Sequence, residues 1–213
     1  EVTIPGEAEE ETEHFRARYL ASFDSQAYGG NIADYRQKVG AIPGVGGVKV
    51  YPVWKGGGTV RVTFMTSDFK PPTAEFVQKV QSLIDPETNH GEGVGIAPID
   101  HNVTVEGAKN AAVRIGLHLS FAAGTVYATY KQQIEETIDG YFAEVNKDWQ
   151  ATQHAEIDNV SNTGVIIRIS QLESRILAIS GIEDIQHTTL NDREENLTLG
   201  LDELAVRGEV QNG

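Results

Sequence analysis

Residues 33–64 and 170–201 align without a gap at a constant offset of 137, and this internal repeat constrains the fold more than any other feature. Tyr35 aligns with Leu172, Val39 with Ile176, Ile42 with Ile179, Gly44 with Gly181, Val45 with Ile182 and Val48 with Ile185. The match runs on through Val53 with Leu190, Val60 with Leu197, Val62 with Leu199 and Phe64 with Leu201. Each copy reads as a helix, a tight glycine turn, a strand, a turn and a strand. A further helix follows the hairpin in the first copy and precedes the unit in the second. Two helices hiding their apolar stripes on one face of a small sheet satisfy both orders. The expected fold is therefore α+β: two related small modules, each a mainly antiparallel sheet with helices packed on one face.

A chain of 213 residues accommodates two such domains of about 100 residues each. The sequence predicts a first module over residues 1–88, a glycine and proline connection over 89–100, and a second module over 101–213. Phe15, Tyr19, Leu20 and Phe23 recur at helical spacing, which predicts an N-terminal helix over 9–23. Asn31 and Thr73 are the expected caps of the next two helices. KGGG supplies the positive φ angles of a hairpin between two β-branched runs. In the second half the patterns predict strands within 101–121, a helix over 125–145 and a polar loop beyond it. Ser170 and Glu173 have the spacing of a capping box for the repeat helix. Three strands close the chain.

The formal charge of −14 argues against nucleic acid or an anionic membrane as the main partner, since both select Lys and Arg. No apolar run approaches the roughly 20 residues of a membrane span, and the glutamate-rich N-terminus is unlike a signal peptide. These features predict a soluble chain. Its lack of an initiator methionine fits a fragment of a longer protein. The absence of cysteine excludes disulfides, thiolate zinc sites and cysteine nucleophiles.

Candidate chemistry centres on GEGVGIAPIDH, residues 91–101. Phosphate loops deliver backbone N–H groups at the start of a helix, whereas a strand follows here, and the glycine spacing matches neither nucleotide motif. Gly91, Gly93, Gly95, Pro98 and His101 read instead as a hinge or interaction segment. His90 and His101, with Asp85, Glu87, Glu92 and Asp100 nearby, form the one dense group of ligand-type residues. An ordinary solvated linker explains them more simply than a metal. No nucleophile motif is present, and adjacent acids such as Glu135 and Glu136 point to different sides of a helix. Trp54, at a strand end, and Trp149, in a polar loop, are candidate partner anchors, with core packing as the alternative. The residues thus predict no catalytic, cofactor or metal site.

The succession GEGVGIAPIDHNVTVEGA, YFAEVNKDW, VIIRISQLESRILAISGIEDIQHTTLN and ELAVRGEV resembles the baseplate J-like proteins of contractile-tailed bacteriophages. It is most similar to the version in PBSX-type prophages of Gram-positive bacteria. GGNIADYRQKVGAIPGVGGVKVYPVWKGGGTVRVTF resembles the family's middle region, and the matching stretches cover most of residues 25–210. The resemblance implies a non-enzymatic wedge subunit of a tail baseplate, without cofactor. It implies other baseplate and tail proteins as partners, self-association in the assembled ring, and a place in the virion tail after assembly in the host cytoplasm. Where P-I-G-H is expected, residues 98–101 read P-I-D-H, a departure at a tight turn. A small-molecule-binding regulatory module, with a pocket near residues 85–101, is the alternative from another class.

Overall fold

A computed structural model describes residues 11–13, 15, 16, 19, 20, 28–153 and 163–213. The chain divides into two units between Ala108 and Lys109.

In the first unit Asn31 caps α1 (Ile32–Gly40), its side chain accepting from the Asp34 N–H at 2.8 Å. Gly44, at φ 90, turns the chain into β1 (Val45–Pro52), which pairs antiparallel with β2 (Thr59–Thr66). Thr73 caps α2 (Ala74–Ile84), and the chain returns as β3 (Asn102–Gly107), parallel to β2. The sheet order is β1-β2-β3. Tyr35, Val39 and Ile42 from the α1 side and Phe76, Val80 and Ile84 from α2 share one core with Val48, Val50, Val62, Phe64, Val103 and Val105. Both helices therefore cover the same face. Alternate positions Lys49, Thr63 and Met65, on the other face, are buried as well.

The second unit begins with β4 (Lys109–Phe121), whose alternating buried residues Val113, Ile115 and Leu117 mark one core face. It continues through α3 (Tyr127–Lys147), β5 (Ile166–Ile167), α4 (Ile169–Leu177), β6 (Ile182–Leu190), β7 (Leu197–Thr198) and β8 (Glu203–Asn212). β4 is central, antiparallel to β6 and parallel to β8, while β5 and β7 form a separate two-stranded ladder. Arg207 of β8 ties α3 down, its Nε donating to Asp139 at 2.8 Å and its Nη1 lying 3.3 Å from Glu135.

The α+β class and the helical coverage follow the pattern of the sequence, but each three-stranded sheet carries one antiparallel and one parallel pair. The parallel pairs arise because each unit ends on a strand that returns past a helix to the central strand. The division also falls later than residue 88. β3 is hydrogen-bonded to β2, so the glycine-rich run 89–101 lies inside the first unit.

The repeat is real over helix, turn and strand. α1 and α4, Gly44 and Gly181, and β1 and β6 keep the offset of 137, and Tyr35, Val39, Ile42 and Val45 are buried like Leu172, Ile176, Ile179 and Ile182. The next strand does not continue it. β1 pairs with the strand that follows, whereas β6 pairs with β4, which precedes it. The carbonyls of both turn glycines accept from the residue just after the paired strand, Ser67 N–H at 2.9 Å and Ala122 N–H at 3.0 Å. β2 and β4 are thus spatial equivalents, and the chain order differs.

Two local expectations need correction. Ser170 is inside α4, not its cap: the helix starts at Ile169, whose N–H donates to Asn196 Oδ1 at 3.0 Å. Tyr141 Oη accepts from the Arg168 N–H at 2.8 Å, so side chains from elsewhere replace the capping box. Of the N-terminal helix, residues 12, 13, 15, 16, 19 and 20 are helical, with Phe15, Tyr19 and Leu20 exposed. Glu11 is described and not helical, and the other residues of that prediction, Phe23 among them, lie outside the described residues.

Candidate interaction site

The run from Asp85 to His101 wraps the C-terminus of α2. Asp85, 2 % exposed, accepts from His90 Nδ1 at 2.7 Å, the Gly91 N–H at 3.1 Å and the Val103 N–H at 2.8 Å. Gln81 donates from Nε2 to the carbonyls of Asp85 (2.6 Å) and Val103 (2.9 Å), and its Oε1 accepts from the Val105 N–H at 2.8 Å. The Ile96 and Ala97 N–H groups satisfy the last carbonyls of α2, at Leu83 and Ile84. Gly95 must be glycine, because a Cβ there would overlap the Ile84 carbonyl. Gly91 and Gly93 take positive φ, as turns require. The segment is a braced closure of the first unit, with Gly93 and Gly95 in close contact with Ile99 and Ile84 and Gly91 in an open turn.

Pro98 to His101 forms a tight turn, the His101 N–H donating to the Pro98 carbonyl at 3.2 Å. Asp100 adopts the left-handed conformation (φ 66) that glycine would take, so the turn survives the P-I-D-H departure. His101 stacks on Tyr35, with ring centroids 5.9 Å apart, and its Nδ1 shares a 2.9 Å hydrogen bond with the Tyr35 hydroxyl. Burial, then the carboxylates of Asp85 and Asp34, push that hydroxyl above the usual phenol range, so it stays protonated. His90 is engaged by Asp85 and His101 by Tyr35. Among the described residues no three His, Asp or Glu side chains converge as a metal site.

Trp54 and Trp149 separate. Trp149, in the turn just after α3, is wholly buried, so it packs in the interior and cannot present a surface anchor. Trp54, half-buried at the β1–β2 turn, carries Lys55 Nζ 4.1 Å above its ring, and Arg61 lies over both Tyr51 (4.1 Å) and Trp54 (5.5 Å). Such an aromatic and cationic patch has the composition of binding hot spots.

Beside this hairpin tip lies a cleft of about 450 Å³, lined by Gly30, Ala33, Tyr35, Pro52, Val53 and His101 among others. It brings Val53, the neighbour of Trp54, and His101 together, while Gly91 and Gly95 are not among its lining residues. Sequence reading named His101 but missed the cleft. Its one signal was Gly29-Gly30 standing where the second copy of the repeat has Ile166-Ile167. A second cleft, of about 500 Å³, is lined by Tyr141, Glu144, Arg168 and Arg175 in the second unit.

Family comparison matches one domain to each unit. Residues 27–107 match the Baseplate J-like central domain, and residues 113–213 match the Baseplate J-like protein C-terminal domain. The chain belongs to the baseplate J-like family. The family boundary coincides with the end of β3, as the strand pairing requires. In Bacillus subtilis (strain 168), the uncharacterized protein YqbT is 33 % identical over 210 residues, covering 99 % of this chain and 56 % of that protein. The Phage-like element PBSX protein XkdT of the same strain is 31 % identical over 211 residues, with coverages of 99 % and 56 %. The chain therefore spans about half the length of these relatives. A chain in the 6-fold symmetrised cryo-EM structure of the anti-feeding prophage baseplate shares the fold. Its TM-score is 0.55 at 8 % identity, covering 94 % of this baseplate J-like chain and 42 % of that one.

Proposed function

We propose that this chain is the central and C-terminal part of a structural subunit of a contractile phage or prophage tail baseplate, a wedge component acting in tail assembly through protein–protein contacts. The observation that carries the reading is the tandem of two baseplate J-like domains, each matched to one folded unit. Similarity to a PBSX prophage protein and the fold shared with a baseplate chain support it. Other baseplate and tail proteins are then the partners, with self-association around the ring. The subunit is placed in the virion tail after assembly in the host cytoplasm, without catalysis or cofactor. No described helix is long and apolar enough to cross a membrane.

The packing suits such a role. Both parallel edge strands are closed by amide side chains from the helix packed beside them: Gln81 on β3, and Asn146 on β8, which exchanges bonds of 2.9 and 3.0 Å with Ala205. These bonds occupy β3 at Val103 and Val105 and β8 at Ala205, where an added strand would need the same groups. Among the remaining surfaces the hairpin tip is the first to test. Co-expression of the full-length gene with its two flanking reading frames, followed by native mass spectrometry, is expected to give a defined hetero-complex. A lone monomer or homodimer, with both neighbours well expressed, would overturn the assignment.

A further inference from the structure

The two copies of the repeat part at a single bulge. Gly116 pairs with Thr189 and His118 with Gln186, so β6 carries one extra residue, His187, left-handed at φ 47. Beyond it the correspondence slips by one: Leu190 takes the position of Pro52, and Asn191 that of Val53. Hydrogen bonds agree, since the Val53 N–H donates to the Thr59 carbonyl at 2.7 Å and the Asn191 N–H to the Arg114 carbonyl at 2.9 Å. Both residues are left-handed, at φ 57 and 50.

What covers this position differs. In the second unit the chain enters α4 extended, Ile166–Ile167 paired with β7, and Ile167, Leu190 and Leu199 are all buried. In the first unit Gly29 and Gly30, at φ 58 and 83, turn the chain aside before α1. Gly30 stands where Ile167 stands, Pro52 is exposed in place of Leu190, and Val53 is 63 % exposed. The 450 Å³ cleft lies among these residues.

Pro98 and His101 fill the space beside Gly30 itself, so the open apolar wall of the cleft is at Pro52 and Val53. We propose that this cleft docks an extended segment of another polypeptide chain, seating a branched aliphatic side chain against Pro52 and Val53, with a carboxylate beside it. The charge is set next to the cleft, where the Lys55 N–H donates to Oγ1 of the lining residue Thr59 at 3.0 Å. Lys55 is exposed on the hairpin tip and forms no ion pair among the described residues, so it complements an acidic neighbour. The tip is also strained: a β-branched Val53 holds a left-handed conformation, at φ 57, where the second unit uses Asn191. Strain kept at an exposed site marks function more often than packing. The inference is independent of the baseplate assignment, because it follows from the two units of this chain alone.

The test titrates the full chain, ¹⁵N-labelled, with a blocked hexapeptide of sequence GVIIEG. Saturable shifts are expected at Gly30, Ala33, Thr59 and His101, with a Kd below about 1 mM. Pro52→Asp and Ala33→Trp, which charge or fill the cleft, are each expected to weaken binding at least about tenfold, or 1.4 kcal/mol. Either variant suffices if the other fails to fold. Lys55→Glu is expected to weaken binding in low salt and to lose that effect when salt screens the charge. Absence of saturable shifts, shifts centred elsewhere, or unchanged binding to a folded Pro52→Asp variant would overturn the proposal. So would equal affinity for N-acetyl-isoleucine amide, which would make the cleft a small-molecule pocket.

Discussion

Replacing Gln81 by Met isolates the device that closes the β3 edge. Gln81 is 8 % exposed and makes three hydrogen bonds to main-chain groups, two from Nε2 and one to Oε1. Methionine has similar length and lacks both donor and acceptor, so the Asp85 and Val103 carbonyls and the Val105 N–H lose their partner together. A buried hydrogen bond contributes about 1 kcal/mol net, and an orphaned buried group costs about 1–3. Three bonds therefore give roughly 3 kcal/mol, reduced slightly by burying a more apolar side chain. For a unit of about 100 residues unfolding independently, that lowers Tm by about 12–24 °C. Urea denaturation should show the same loss at unchanged m, and hydrogen exchange should speed at the Val103 and Val105 amides. A loss below about 1 kcal/mol with unchanged protection at Val105 would refute the claim that this side chain holds the edge.

Other outcomes follow from the same contacts. Val53→Asn, which adopts the conformation of Asn191, should raise stability by about 1 kcal/mol in urea melts, since the exposed valine loses little packing. Gly181→Ala should cost more than about 2 kcal/mol, because φ is 101 and a Cβ would overlap the Tyr130 hydroxyl; combining it with Tyr130→Phe should recover part of the loss in thermal melts. The raised Tyr35 hydroxyl stays neutral in the fold while the unfolded phenol ionises near pH 10, so its contribution is complete below that pH. Stability should fall above about pH 10 at up to roughly 1.4 kcal/mol per pH unit from this group, and Tyr35→Phe should flatten the alkaline limb measured by urea titration.

The sequence reading succeeded where one element carries its own signal. Asn31 and Thr73 cap the helices predicted for them, and the KGGG turn joins the predicted strands. It failed where a contact spans elements. No local pattern distinguishes a β1 that pairs with the strand after it from a β6 that pairs with a strand before it; only the Ser67 and Ala122 hydrogen bonds to the turn glycines reveal that β2 and β4 are equivalent. From sequence the glycine-rich run reads as a connection, since glycine serves turns and close packing alike. Burial of Asp85 and the approach of Gly95 to Ile84 decide between them, and neither is visible before folding.

Chain order is the looser part of this architecture, and the core contacts are the tighter one. Helix, glycine turn and edge strand recur with the same buried positions and the same carbonyl bond from the turn, though the paired strand follows in one unit and precedes in the other. Even the blocking amide recurs, from α2 as Gln81 and from α3 as Asn146. What differs most at equivalent places is how the chain enters the repeat helix: covered by a two-stranded ladder in one unit, diverted by two glycines in the other. A unit that keeps its core and gives up its cover gains a surface. In the first unit that surface borders the one hairpin tip, among the described residues, where Trp54, Tyr51, Lys55 and Arg61 meet.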